Sequence, residues 1–371
     1  NGKVPAPGYL LRQRQLANTL RLISRQGHKG FYHGPVARKL VDAVRSAGGI
    51  WTLEDLKNYK IVERQPIVFQ YGDIKVTSAS LPSSGGIVLA EIFNMLEILS
   101  PAKQKKAHLI IEAMRFAYRD RARYLGDADF VKVAVKKLIS KQYAKSLTQK
   151  INPNRATPSS GLTNTASGSA TTKRESRHTT HFSIIDNTGN RVAATLTINY
   201  PFGSGFIAKG TGVLLNDEMD DFSSKPGSPN AYGLVGAEAN AIAANKRPLS
   251  SMSPTFLETP DRIAILGTPG GSRIITMVMN AIFGFEQNLD ARQIVAKKRY
   301  HHQYLPDVVQ YETGALTDEE IVRLQKKGHK LKQIQGGYGN MQIIIWDKQK
   351  KIIEAASAPR GIGAAKVSAN Q

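Results

Sequence analysis

The sequence predicts a layered α/β fold (α+β in its segregation of elements), and three observations carry that expectation. Amphipathic helical periodicities fill most of the first 150 residues. Strand-type segments are concentrated after Thr179 and alternate with further helices, which argues for packed layers rather than separate modules. The 371 residues are 41% hydrophobic and 22% charged, enough to bury the core of one large or two ordinary domains.

Residues 9–26 set Leu10, Leu16, Leu20 and Ile23 at helical spacing ahead of Gly27. A second amphipathic helix over 35–47 runs through Val36, Leu40, Val41 and Val44 to Gly48-Gly49. Thr52-Leu53-Glu54-Asp55 reads as a capped helix start, with Asp55 three positions after Thr52. Alternation over 66–79, broken at Tyr71-Gly72-Asp73, predicts a hairpin. Leu81-Pro82-Ser83-Ser84-Gly85-Gly86 leads into an apolar helix over 87–99, its paired glycines allowing close backbone approach. A long helix over 107–124 is expected to turn Leu109, Ala113, Phe116 and Ala117 inward and its arginines outward. A basic helix over 135–150 follows.

Residues 155–177 carry little hydrophobic pattern and read as a solvated tether. Strand then begins without transition: residues 180–185 and 191–198 flank the turn cluster Asp186-Asn187-Thr188-Gly189-Asn190. Residues 202–205 read as a loop, 211–216 as a buried strand, and 223–233 as a Gly/Pro/Ser/Asn-rich loop suited to a mobile lid. A strand over 263–266 feeds the Gly270-Gly271 turn and an apolar helix over 274–285, and strands return at 340–346 and 352–355.

Composition bounds the function. Cysteine is absent, which excludes disulfides, thiolate metal sites and a cysteine nucleophile. No run of about eighteen apolar residues exists, so no membrane span is expected. The opening NGKVPAPGYLL lacks both an initiator Met and a signal-peptide pattern and reads as a fragment's start. The formal charge of +22 raises a polyanion partner, but the cations are scattered without RNA-type aromatic motifs, so a solvated basic surface is expected and no nucleic acid.

Several constellations carry chemistry together that none carries alone. A hairpin turning at Asp186–Asn190 sets Thr197 opposite Thr179, and a one-residue slip sets Thr180 there instead. Cleavage of the His178–Thr179 bond would leave Thr179 with a free α-amine, of reference pKa ~8, beside its own hydroxyl. The plain alternative is that Thr-Thr opens a strand. The Gly270-Gly271 turn between strand and helix offers N–H groups to an oxyanion, or is simply tight. Glu218 and Asp221 suit an ammonium group, or form a solvated acidic turn. Ser250-Ser251 suits a carboxylate, or is an ordinary loop. His301-His302 lacks further ligands at metal spacing and is read as structural, and His181 as a supporting group. The sum is the parts list of an acyl transferase acting on an amino acid.

The runs TTHFSIID, LTINYPFGSG, GVLLNDEMDDFSSKPG, PNAYGLVG, ANKRPLSSMSPT and GTPGGSRII strongly resemble the small subunit of the γ-glutamyltransferases, or glutathione hydrolases. GFYHGPVA, LEDLKNY, PSSGG and EAMRFAYRDRARYLGD resemble the C-terminal part of their large subunit, so the resemblance covers nearly the whole chain. It implies the αββα four-layer sandwich of N-terminal-nucleophile hydrolases, incomplete at the N-terminus. Residues 1–178 would be large-subunit sequence ending in the tether, and 179–371 the small subunit, forming one composite domain. Thr179 would be the nucleophile in self-cleavage and in γ-glutamyl transfer, oriented by Thr197. Asn199, Glu218 and Asp221 would hold the donor's α-amino group, Ser250 and Ser251 its α-carboxylate, and Gly270 and Gly271 the oxyanion. Tyr232 matches a gating residue on the lid. The family's arginine clamp on the donor carboxylate lies in a stretch ahead of this sequence, and no counterpart is assigned.

The expectation is therefore a self-cleaving γ-glutamyl acyl transferase and hydrolase acting on glutathione, with amino acids or peptides as acceptors. No metal or redox cofactor is expected, the two cleaved chains would pair as a heterodimer, and the location would be periplasmic or secreted. The rivals are an acylase or poly-γ-glutamate depolymerase, which Glu218 and Asp221 speak against, and an inactive basic scaffold.

Overall fold

The computed structural model describes residues 4–100, 106–162, 179–225, 227–228, 230 and 233–368. In chain order they form α1 (Arg14–Gln26), α2 (Lys29–Tyr32), α3 (Gly34–Ser46), α4 (Leu53–Lys57), β1 (Ile67–Tyr71), β2 (Ile74–Ser78), α5 (Gly85–Leu99), α6 (Lys106–Tyr124), α7 (Val135–Leu138) and α8 (Lys141–Thr148). Then come β3 (Thr180–Ile185), β4 (Arg191–Leu196), β5 (Ile207–Ala208), β6 (Val213–Leu214), β7 (Thr255–Glu258) and β8 (Arg262–Gly267). The remainder is α9 (Ile274–Glu286), α10 (Ala291–Ala296), β9 (Tyr300–His301), β10 (Val309–Glu312), α11 (Asp318–Lys326), β11 (Leu331–Ile334), β12 (Gln342–Asp347) and β13 (Ile352–Ser357). Two compact units result, one from residues up to Glu63 with Tyr200–Asp217, the other from Arg64–Asn199 with Glu218 onward.

The larger unit is built on a six-stranded antiparallel sheet in the order β1-β2-β7-β8-β12-β13. β8 is buried from Ile263 to Gly267, on both faces, because layers cover it from each side. On one side α5 lies on β1 and β2, α9 on β8 and α10 on β12 and β13. Helix α5 is buried from Gly85 through Leu96, and a helix apolar all round belongs in an interior. Its Phe93 meets Tyr71 and Phe283 at ring-centroid distances of 4.4 and 5.3 Å, and truncating such a ring to Ala costs ~3–5 kcal/mol. On the other side the β3–β4 hairpin lies against β8 and β12. Helices, sheet and hairpin are thus successive layers of the expected αββα order. The hairpin's outer face leaves Phe182, Ile184, Val192 and Leu196 exposed.

The smaller unit packs Val36, Ala37, Leu40, Val41 and Leu56 around Ala208, with Phe31, Trp51 and Phe206 against them. The Thr19 hydroxyl donates to the Thr211 carbonyl at 2.8 Å, fastening α1 to the β5–β6 turn. The capping box expected at Thr52 is present: Asp55 N–H donates to Thr52 Oγ1 (3.2 Å) and Thr52 N–H to Asp55 Oδ2 (2.7 Å).

The structure corrects several local expectations. Three of the four arginines of α6 point inward: Arg115, Arg119 and Arg121 are buried and only Arg123 is exposed, whereas no lysine is buried among the described residues. A guanidinium offers a planar fork of donors that fixed acceptors can satisfy, and it is less strongly hydrated than an ammonium. The basic stretch 135–150 splits into α7 and α8, because Ser140 caps a new helix by accepting from Tyr143 N–H. The strand expected over 211–216 shrinks to the two residues of β6. Of the expected tether, 163–178 lies outside the described residues, while its start is packed: Ala156 N–H donates to the Lys327 carbonyl (2.7 Å) and Ser159 is fully buried.

Candidate active site

The site begins with hairpin register. Thr180 pairs with Leu196 and Ile185 with Arg191, which sets Thr179 across from Thr197, the first of the two registers considered. The Thr179 hydroxyl donates to Thr197 Oγ1 at 2.9 Å, and Asn199 N–H donates to the same oxygen at 2.8 Å. Asn199 manages this with φ of 67°, a left-handed conformation that Asn tolerates better than most residues. Alternation puts Thr179 and His181 on the inner face. His181 bonds Thr195 Oγ1 (2.8 Å) and Ser183 Oγ (3.1 Å), and burial lowers its pKa to about 4, so it is neutral near pH 7.

The serine pair is held from behind. Ser84 N–H donates to the Ser250 carbonyl (2.8 Å), Ser250 N–H to the Pro82 carbonyl (2.8 Å), and Ser84 Oγ to the Ser250 carbonyl (2.7 Å). This staple explains the Ser83-Ser84-Gly85-Gly86 run. A Cβ at Gly85 would stand 2.0 Å from Ser253 Oγ, so only glycine lets the helix start approach the serine loop. Asn240 ties the same loop to the acidic turn, its Oδ1 accepting from Leu249 N–H (2.9 Å) and its amide donating to the Asp221 carbonyl (2.7 Å).

The glycine turn has the predicted form. Gly270 has φ of 145° and Gly271 φ of 55°, both strained for a side chain, and α9 follows after one short turn of helix. Among the described residues no acceptor is bonded to the N–H of Gly270 or Gly271. Thr179, Thr197, Asn199, Glu218, Asp221, Ser250, Ser251 and Gly271 line one pocket, with Gly270 next in the chain. Tyr232 lies outside the described residues. Two walls of this pocket differ in chemistry, with the half-buried acids Glu218 and Asp221 on one and neutral hydroxyls on another. An oxygen nucleophile, vacant N–H donors and poles for an ammonium and a carboxylate are the equipment for acyl transfer from an amino acid derivative.

One charged lining residue was missed in the sequence. Arg121 reaches this pocket from α6, donating through Nε to Ser84 Oγ (2.9 Å) and through Nη2 to Ser251 Oγ (3.1 Å). Burial lowers its pKa from the ordinary arginine value. Its place in a helix read as arginines-outward hid it.

Three buried side chains have metal-like spacing among the described residues, His108, Glu112 and His329. Most of their polar atoms are already engaged, His329 Nδ1 alone of them lacking a partner among the described residues. His108 Nδ1 meets His329 Nε2 at 2.7 Å, its Nε2 meets the Asn152 carbonyl at 2.8 Å, and the Glu112 carboxylate accepts from Arg115 Nε and Thr157 N–H. A cationic guanidinium on the carboxylate opposes a second cation, so the group fits a polar clamp. His302 joins it, meeting Asp307 at 3.1 Å, while His301 meets Thr276 Oγ1 and Gln303, so both buried rings are hydrogen-bonded to side chains.

Comparison with known proteins agrees with this geometry. The fold matches cephalosporin acylase from Bacillus halodurans with a TM-score of 0.81 at 24% identity, over 97% of this chain and 63% of that one. Layers of this order with a threonine heading a strand over the central sheet define an N-terminal-nucleophile hydrolase fold. The model of the gamma-glutamyltranspeptidase family matches residues 1–368, and the chain belongs to that family. It is 41% identical over 362 residues to the glutathione hydrolase proenzyme of Escherichia coli K12, covering 96% of this chain and 61% of the relative. It is 45% identical over 332 residues to the glutathione hydrolase proenzyme of Pseudomonas sp. strain A14, covering 87% and 57%. The chain thus spans about three-fifths of the length of these relatives. No described helix is long and apolar enough to cross a membrane.

Proposed function

We propose that the protein cleaves itself between His178 and Thr179 and then hydrolyses or transfers the γ-glutamyl group of glutathione and related γ-glutamyl amides. The observation that carries this reading is the Thr179 hydroxyl held 2.9 Å from Thr197 in a pocket shared with Glu218, Asp221, Ser250, Ser251 and Gly271. The freed α-amine takes the Thr179 hydroxyl proton as Oγ1 attacks the γ-carbonyl carbon. The N–H groups of Gly270 and Gly271 stabilise the tetrahedral oxyanion, and its collapse expels the leaving amine with that proton. The resulting γ-glutamyl ester on Thr179 is opened by water or by an acceptor amine.

Asn199, Glu218 and Asp221 orient the donor's ammonium group, and Ser250 and Ser251 its carboxylate. Tyr232 gates the pocket. Resemblance to proteins described as proenzymes supports self-cleavage and a paired two-chain product. Family resemblance also supports a periplasmic or secreted location, which cell fractionation checks. The acidic pair disfavours an acylase whose substrates lack a free α-amine.

Intact-mass analysis beside a Thr179→Ala control tests the reading, followed by turnover of γ-glutamyl-p-nitroanilide. Two pieces, one starting at Thr179, with an uncut control and turnover only in the cleaved sample, are expected. A single uncut chain without turnover would overturn the reading for this chain.

A further inference from the structure

Arg121 is 5% exposed, yet among the described residues no carboxylate pairs with it. A buried cation without its counter-ion is costly, and the other buried arginines of α6 avoid that cost: Arg115 pairs with Glu112 and Asp307, and Arg119 with Asp120. The nearby acid Asp221 influences Arg121 only through space. An anion that enters the pocket is the natural partner.

The hydroxyls around Arg121 point the same way. A guanidinium cannot accept a hydrogen bond, so Ser251 Oγ must present a lone pair to it. The Ser251 proton is then turned away from Arg121, and no acceptor for it exists among the described residues. Ser250 Oγ is in the same position, accepting from Met252 N–H at 3.1 Å with its own proton unspent. Ser84 is different: it accepts from Arg121 and spends its proton on the Ser250 carbonyl. Two outward hydroxyl donors over a buried positive charge are a complement to a carboxylate.

We propose that Arg121 is a positioning residue for the donor's α-carboxylate, orienting the Ser251 proton into the pocket and supplying the charge that the bound carboxylate completes. The assignment rests on the γ-glutamyl reading for the identity of the ligand, but the anion site does not need turnover to be seen.

The test is calorimetric binding of L-glutamate and of 4-aminobutyrate, the same skeleton without the α-carboxylate, to the full chain and to Arg121→Met and Arg121→Lys. Glutamate affinity is expected to fall roughly 10- to 100-fold in Arg121→Met, with 4-aminobutyrate little changed, and Arg121→Lys is expected to recover part of the loss. Equal losses for both ligands, or none for either, would overturn the proposal, as would a parent chain that does not prefer glutamate. If Arg121→Met fails to fold, Arg121→Lys decides, because it keeps the charge and loses the fork. A parent chain that binds glutamate through Arg121 but leaves γ-glutamyl-p-nitroanilide intact would sink the hydrolase reading while leaving this site standing.

Discussion

Two buried polar clusters lie at different places along α6, and they spend their hydrogen bonds in opposite ways. Around Arg115 nearly every group is committed: Glu112, Ser159, Asp307 and Thr157 all bond one another or the guanidinium. Burial pushes the Asp307 carboxyl up, but His302 and Arg115 together hold it well below the usual carboxylate range. Around Arg121 capacity is left over, in the Ser250 and Ser251 protons, the Gly270 and Gly271 N–H groups and the guanidinium's unmatched charge. A satisfied cluster stabilises the fold, and an unsatisfied one awaits a ligand. The contrast shows, without reference to any relative, which of the two clusters has hydrogen-bonding capacity left for a ligand.

The contrast breaks most sharply on stability. Arg115→Met leaves the buried Glu112 and the half-buried Asp307 uncompensated and is expected to cost ~3–5 kcal/mol in urea unfolding, whereas Arg121→Met removes an uncompensated cation and should be near neutral or stabilising. Equal losses would erase the distinction. Next in size, Gly270→Ala forces a side chain to positive φ and misaims the vacant N–H groups. Its kcat on a γ-glutamyl anilide is expected to fall ~10²- to 10³-fold with KM little changed. A rise in KM alone would place those donors in ground-state binding instead.

Acid probes the buried imidazoles. Unfolded histidine takes a proton near pH 6.5, but folded His181 does not until about 4. The unfolded chain therefore binds more protons between those values, so stability is lost as pH falls through that window, at up to ~1.4 kcal/mol per pH unit for this residue. His181→Asn should flatten the slope of unfolding free energy against pH, and an unchanged slope would remove His181 from the account. The smallest effect belongs to the smaller unit: Thr52→Ala deletes a capping box and should cost ~1 kcal/mol while leaving glutamate affinity unchanged.

Much of this was legible in the residues. The turn cluster after Ile185 marked the hairpin and left two registers open; in the structure Asp186 accepts from the N–H groups of Thr188 and Asn190 at 2.9 Å and closes the loop at one length. Strand-to-helix passage at Gly270-Gly271 was readable because only glycine suits those φ values. What stayed hidden was long-range. The orientation of Arg115 and Arg121 depends on acceptors up to 192 residues away in sequence, Asp307 among them, and no helical periodicity encodes those partners. The packed start of residues 155–162 was missed for the same reason, since its composition is that of a tether and its anchors come from α6 and from the chain near Asp307 and Lys327.

The contact between His181 and Gly267 reaches beyond this one chain. A Cβ at Gly267 would lie 2.3 Å from the His181 ring, so neither position can drift alone: a larger residue at 267 is admissible only after 181 has shrunk. Across diverging lineages the two sites should exchange as a pair, and a substitution at Gly267 that is lethal in this background should become tolerable beside a small residue at 181. The strand that follows Thr179 is thereby keyed to the sheet beneath it at this one pair of positions.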